Sequence, residues 1–252
     1  MPPRHLIYEE LVRRKAAGLK SFAVLVDPDK TSVDQVAALT EKAEKSKVDF
    51  FLVGGSLVVS THLEALIEAI KRSTNIPVVL FPGSPSQVTP AADALLYLSL
   101  ISGRNPELLI GQHVISAPTV KKSGLEIIPT GYMVVDGGVP TTVSYISHAN
   151  PLPANKNEIA VCTAMAGEML GLKLIYLDAG SGAMNPVPAS MIQAVSEQIQ
   201  VPLIVGGGIT TPQKAMENCR SGADLIVVGN AIEKDIDLVR SISEAVHSVS
   251  RS

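Results

Sequence analysis

Cysteine is nearly absent from this chain of 252 residues, with Cys162 and Cys219 the only two. Two isolated thiols exclude a disulfide framework and a cysteine-rich metal site, and both fall in helical patterns where packing is their expected role. Histidine is equally thin. His5, His62, His113, His148 and His247 are scattered, with no His-x-x-x-His spacing from which a zinc set is built. There is no basic block, and the formal net charge is −3, so nothing opposes the phosphates of a nucleic acid. The longest apolar runs are strand-length and end in Gly or Asp, too short to cross a bilayer, and no long apolar run follows the first residues as a targeting segment would require. The expectation is a cytoplasmic protein without an integral membrane segment, free to touch a membrane transiently for its substrate. No Gly-x-Gly-x-x-Gly follows the first strand, which weighs against a nicotinamide enzyme. No nucleophile elbow or Ser-His-Asp order is present. No repeat, low-complexity tract or linker divides residues 1–252, so one domain is expected.

What the chain does contain is apolar. Hydrophobic residues make up 46% and charged residues 18%, enough for a large core. Runs of Val, Ile and Leu without alternation occupy residues 21–26, 48–53, 77–81, 94–101, 126–135, 172–177, 202–205 and 224–228. Such runs read as strands buried on both faces, hence a parallel sheet. Helical signals separate most of them. Ser32 through Gln35 has the form of a capping box; Thr211 before Pro212 is an N-cap followed by proline in the first turn; Gly171 suits a helix C-terminus; and Ile192, Val195 and Ile199 share one helical face. Eight strands alternating with helices at this length predict an α/β fold, a closed TIM-type (β/α)8 barrel in preference to an open doubly wound sheet. One connection is thin. Between Pro82 and Ala94, Gly83, Pro85 and Pro90 interrupt a stretch of about a dozen residues, near the lower limit for a crossover helix. It reads either as an irregular connection or as a lost outer helix that opens a side groove for a long ligand.

In a barrel of this kind the chemistry sits where strands end. The seventh strand runs into Gly206-Gly207-Gly208 and the eighth into Gly229-Asn230, where bare backbone N–H groups can cradle a phosphate. The sixth ends in Tyr176-Leu177-Asp178-Ala179-Gly180-Ser181-Gly182. Alternation puts Tyr176 and Asp178 on one face, toward the mouth, where Asp178 could take a proton from a substrate hydroxyl or, alternatively, simply structure the loop. The first ends in Asp27-Pro28-Asp29-Lys30 and the second in Gly54-Gly55-Ser56. Asp27 with Ser56 could offer hard oxygen ligands to Mg²⁺, although Asp-Pro-Asp is also ordinary turn chemistry.

Taken together and in order, the segments 22–30, 53–56, 81–84, 176–182, 205–209 and 228–230 resemble the geranylgeranylglyceryl phosphate synthase family over nearly the whole chain. The Gly-Gly-Gly-Ile and Gly-Asn pieces occur in many phosphate-binding barrels; the first, second and sixth strand ends in combination are more specific. The resemblance implies a modified TIM barrel whose third helix is replaced by a loop, and a prenyltransferase joining sn-glycerol 1-phosphate to a polyprenyl diphosphate of about geranylgeranyl length with Mg²⁺, to make an ether-lipid precursor. It implies that Asp27 and Ser56 serve the metal, that Asp178 and Tyr176 are catalytic, and that Tyr176, Leu177, Asp178, Ala179, Gly180, Ser181, Gly182, Gly207, Gly208, Gly229 and Asn230 hold the substrate. It also implies a homo-oligomer, a dimer or a hexamer. Two departures stand out: the family's strand-six acid is commonly Glu where this chain has Asp178, and a Lys found in some members two residues before the strand-one Asp is Leu25 here. A phosphosugar isomerase-like barrel enzyme and a non-catalytic phosphate-binding protein are the other readings of the same loops.

Overall fold

A computed structural model describes residues 6–249; His5 lies outside them. Eight strands, β1 (Ser21–Val26), β2 (Phe50–Gly55), β3 (Val78–Pro82), β4 (Ala94–Leu100), β5 (Glu126–Val134), β6 (Leu174–Asp178), β7 (Leu203–Gly206) and β8 (Leu225–Val228), pair in chain order and close with β8 on β1. Every pairing is parallel. The α/β TIM-type barrel is therefore the fold.

The unbroken apolar runs follow from burial on both strand faces. In β2, Phe50 and Leu52 point into the barrel with Leu96, Ile128 and Leu225. Phe51 and Val53 point outward into the layer between strands and helices. Several strands sit one or two residues later than the apolar runs imply. Gly54, Gly55, Asp178 and Gly206 are still paired in the ladder, Asp178 opposite Gly206, so the polar strand ends are held by the sheet itself. At the end of β5 the reverse holds: Val135 leaves the strand and makes a bridge to Leu152.

Ten α-helices surround the strands among the described residues: α1 (Ile7–Ala16), α2 (Val33–Lys45), α3 (Leu63–Ser73), α4 (Gln112–Ser123), α5 (Thr142–Ser147), α6 (Asn157–Met169), α7 (Ala189–Ser196), α8 (Pro212–Arg220), α9 (Asn230–Lys234) and α10 (Leu238–His247). The local signals act as their chemistry requires. The Gln35 side chain accepts from the Ser32 N–H at 2.9 Å, and Thr211 accepts from the Lys214 N–H at 3.2 Å. Gly171 follows α6 with φ +90. Ile192, Val195 and Ile199 are all buried. Cys219 is buried in α8, but Cys162 is exposed on α6; its side of that helix faces away from the core, so it does not have the packing role expected of it.

Helix α1 closes the bottom of the barrel. Ile7 and Leu11 seal the interior cluster, and Glu126 at the start of β5 accepts from the Ile7 and Tyr8 N–H groups at 2.6 and 2.9 Å, a carboxylate at a helix N-terminus. Between β3 and β4 the only helical piece is a single 3-10 turn, Pro85–Gln87. No helix of the described residues is long and apolar enough to cross a membrane.

Candidate active site

The C-terminal ends of the strands enclose a mouth of about 420 Å³. Asp27, Ser56, Tyr176, Asp178, Gly180, Ser181, Gly182, Gly207, Gly208, Gly229 and Asn230 all line it. Leu177 and Ala179 do not. Their side chains are buried in the outer layer because alternation along β6 turns every second residue away from the mouth, which leaves only their backbone to offer.

Asp178 is the most constrained group in the mouth. It is 7% exposed. One carboxylate oxygen accepts from the Tyr132 hydroxyl at 2.6 Å and the other from the Gly180 N–H at 2.7 Å. Burial raises its pKa, and these two hydrogen bonds oppose the rise. A buried carboxylate poised above its ordinary value is suited to accept a proton in a reaction near neutrality. Tyr132 was not legible as a site residue, because it lies mid-strand in an apolar run. Burial first, and then the Asp178 charge, hold the Tyr132 and Tyr176 phenols well above their ordinary pKa. Both stay protonated rather than acting as bases, and the Tyr132 hydroxyl donates to Asp178.

Gly207 shows why the phosphate loops carry glycine. Its φ is +78, and a Cβ there would lie 2.6 Å from an Asp178 oxygen and 2.6 Å from the Gly180 nitrogen. Only a residue without a side chain lets the β7 loop approach the β6 loop this closely. Beyond it, the Ser181 hydroxyl donates to Asn230 Oδ1 at 3.1 Å, tying the β6 loop to the start of α9.

Across the mouth, the loop after β1 is fixed by its own turn chemistry. Asp27 accepts from the Asp29 N–H at 3.0 Å. Asp29 in turn accepts from the Val59 and Ser60 N–H groups at 3.0 and 2.8 Å, and the first of these bonds leads in lowering its pKa. Asp29 therefore clasps the β1 loop to the β2 loop. As a place for a divalent cation, the mouth offers the Asp27 carboxylate and the Ser56 hydroxyl. No group of three His, Cys, Asp or Glu side chains that could hold a metal exists among the described residues. This donor set fits Mg²⁺, which keeps several waters and takes substrate phosphate oxygens as its remaining ligands; it does not fit a fully protein-caged ion.

A second cavity of about 120 Å³, open to solvent, runs sideways from the mouth. Gly55, Ser56 and Phe81 line both spaces. The groove lies where the β3–β4 connection is thin, between that 3-10 turn, β4 and α4, with Val88, Leu95, Leu98 and Leu100 on its walls. At the junction Phe81, Tyr132 and Tyr176 form an aromatic triad with centroids 5.3 to 5.6 Å apart. Away from the junction, Tyr97 and His113 meet edge to face at 4.5 Å. Burial lowers the His113 pKa, so this wall is neutral.

Known proteins share the fold and much of the sequence. The geranylgeranylglyceryl phosphate synthase of Chitinophaga pinensis is 60% identical over 242 residues, covering 96% of each chain. That of Thermococcus gammatolerans is 41% identical over 243 residues, covering 95% of this chain and 96% of its own. The crystal structure of (S)-3-O-geranylgeranylglyceryl phosphate synthase from Thermoplasma acidophilum, in complex with substrate sn-glycerol-1-phosphate, matches with a TM-score of 0.91 at 32% identity over 96% of this chain and 99% of that one. Thiamine phosphate pyrophosphorylase from Pyrococcus furiosus, 13% identical with a TM-score of 0.59, shares the barrel alone. The sequence profile of the PcrB family matches residues 13–246, and the chain belongs to the PcrB family.

Proposed function

We propose that this protein is a prenyltransferase that moves a polyprenyl group of about geranylgeranyl length from its diphosphate to the C3 hydroxyl of sn-glycerol 1-phosphate, forming an ether-lipid precursor and releasing diphosphate. The observation that carries this reading is the meeting of two unlike spaces at Ser56 and Phe81: a mouth lined by glycine loops and Asp178, and an apolar groove. A phosphosugar fills only the first. The groove gives a sugar-phosphate isomerase nothing to bind, so that alternative is not favoured.

In this reading Gly180, Ser181, Gly182, Gly207, Gly208, Gly229 and Asn230 hold the glycerol phosphate through backbone N–H and side-chain donors, with the backbone of Leu177 and Ala179 completing the loop. The prenyl tail lies in the groove. The glycerol C3 oxygen forms a bond to the allylic carbon as that carbon's bond to the diphosphate oxygen breaks, and the hydroxyl proton passes to Asp178. Tyr132 and Gly180 keep the carboxylate aimed. Tyr176, with Phe81 and Tyr132, faces the carbon with ring surfaces that favour the positive charge developing there. Asp27 and Ser56 would hold Mg²⁺, whose chemistry is to neutralise the departing diphosphate.

The reading treats residues 1–252 as one catalytic barrel working in the cytoplasm, as a dimer or hexamer, with transient membrane contact when it loads its lipid substrate. An assay with Mg²⁺, geranylgeranyl diphosphate and labelled sn-glycerol 1-phosphate tests it, with sn-glycerol 3-phosphate as control. A prenyl ether formed only from the 1-phosphate is the expected outcome. No product from any prenyl diphosphate overturns the reading.

A further inference from the structure

The charge of the mouth does not match that of its proposed substrates. Four carboxylates line it, Asp27, Asp29, Asp178 and Glu233, against two ammonium groups, Lys30 and Lys234. A phosphate monoester brings about −1.5 to −2 charge near neutrality, and a diphosphate adds to that. One divalent cation leaves this sum strongly negative, so the position of the two lysines matters. Lys30 stands where the loops after β1 and β8 meet. Its ammonium lies 3.2 Å from Asp27 Oδ2 and 3.3 Å from Glu233 Oε2, and it donates to Asn230 Oδ1 at 3.2 Å. All three of its hydrogens thus have oxygen acceptors within reach, two of them anionic. One is the carboxylate assigned above to the metal, and the third belongs to the loop assigned to phosphate. The Lys30 side chain is 44% exposed, on a flexible four-carbon stem, so a change of rotamer moves the charge without breaking the core.

We propose that Lys30 is the mobile counter-charge of this site: in the free protein it sits between Asp27 and Glu233 and competes with a divalent cation for Asp27, and when the substrates enter it turns onto the phosphate oxygens of glycerol phosphate beside Asn230. This rests on the proposed function. It assigns Lys30 a binding role, with Glu233 holding the ammonium until that turn. An ammonium held between two carboxylates and an amide oxygen is the competing cation. One consequence is that Mg²⁺ binds poorly to the free protein and well once glycerol phosphate has drawn Lys30 away.

The two ligands must therefore respond in opposite directions when Lys30 is removed, which a purely structural role would not produce. Calorimetric titration of Mg²⁺ alone, and separately of sn-glycerol 1-phosphate and inorganic phosphate, compares the full-length protein with Lys30→Met and Lys30→Arg. Lys30→Met is expected to bind Mg²⁺ about threefold more tightly, because an anionic pocket loses its resident cation. It is expected to bind sn-glycerol 1-phosphate about tenfold more weakly, because a charge-assisted hydrogen bond is gone. Lys30→Arg retains the phosphate affinity. Mg²⁺ affinity that is unchanged, weakened or undetectable in both proteins overturns the proposal, as does unchanged affinity for sn-glycerol 1-phosphate. These titrations need no turnover. A wild-type protein that forms no prenyl ether removes the functional reading by itself, and the opposed shifts then stand or fall on inorganic phosphate.

Discussion

Asp178, the proposed proton acceptor, is a carboxylate buried in the mouth. Its folded-state pKa is raised by burial from an ordinary 3.8, so over a window above that value the folded protein holds a proton that the unfolded chain has released. Ionising Asp178 then costs stability as pH rises through the window. Asp178→Asn removes this cost and keeps an oxygen for the Gly180 N–H, while its amide N–H donates to the Tyr132 hydroxyl oxygen in place of accepting from it. The variant is expected to melt higher than the parent at neutral pH, with the difference shrinking as pH falls through the window toward 3.8, which scanning calorimetry across pH would read. Its turnover is expected to fall at least about 100-fold, with affinity for glycerol phosphate little changed. Unaltered turnover would remove Asp178 from catalysis. Gly207→Ala acts at the same point for a steric reason. With φ +78 and a Cβ 2.6 Å from Asp178, it is expected to cost about 1–2 kcal/mol in stability and to raise the KM for glycerol phosphate, measured by denaturant melts and steady-state kinetics.

At the scale of elements, the barrel is held at its bottom by a charge cluster remote from the mouth. Asp224, just before β8, pairs with Lys15 of α1 at 2.9 Å and with Lys20 at 3.3 Å, and accepts from the Leu203 N–H of β7 at 3.0 Å. Lys20 is only 6% exposed. Removing the shared acid leaves a buried ammonium without a partner, so Asp224→Ala is expected to cost about 3–5 kcal/mol, read from urea unfolding, with KM little altered in the protein that remains folded. At the mouth, the ties are between loops instead. Gln87 of the 3-10 turn donates to the Gly55 carbonyl at 3.1 Å and accepts from the Gly83 N–H at 3.2 Å. The short connection that opens the groove therefore also fixes the loops on either side of it.

Across the whole molecule, the proposed function depends on a groove that no single element makes. β4, α4 and the thin β3–β4 connection form its walls, and the Tyr97 and His113 rings line it away from the mouth. Tyr97 is further fixed by its hydroxyl, which donates to the His113 carbonyl at 2.8 Å. Tyr97→Ala is expected to enlarge the groove and shift preference toward longer prenyl diphosphates, as competition assays with a chain-length series would show. An unchanged preference would mean that tail length is set elsewhere.

Much of this was legible before the fold. Val, Ile and Leu runs ending in Gly or Asp located all eight strands, because burial on both faces leaves no polar position until the strand emerges. The same ends, Asp27, Ser56, Asp178, Gly207 and Asn230, marked the mouth, because parallel strands deliver their C-terminal residues to one side. Tyr132, Lys30 with Glu233, and the exposure of Cys162 were not legible. Tyr132 meets Asp178 because β5 and β6 pair in one register, with Tyr132 opposite Tyr176. Lys30 meets Asn230, 200 residues away in the chain, because β8 closes on β1. Hydrophobic period and glycine are local properties, so the strands, their order and the kind of ligand their ends can hold could be read along the chain. Which charges face each other and where the groove opens could not, since both depend on the closure that brings the first and last strands together.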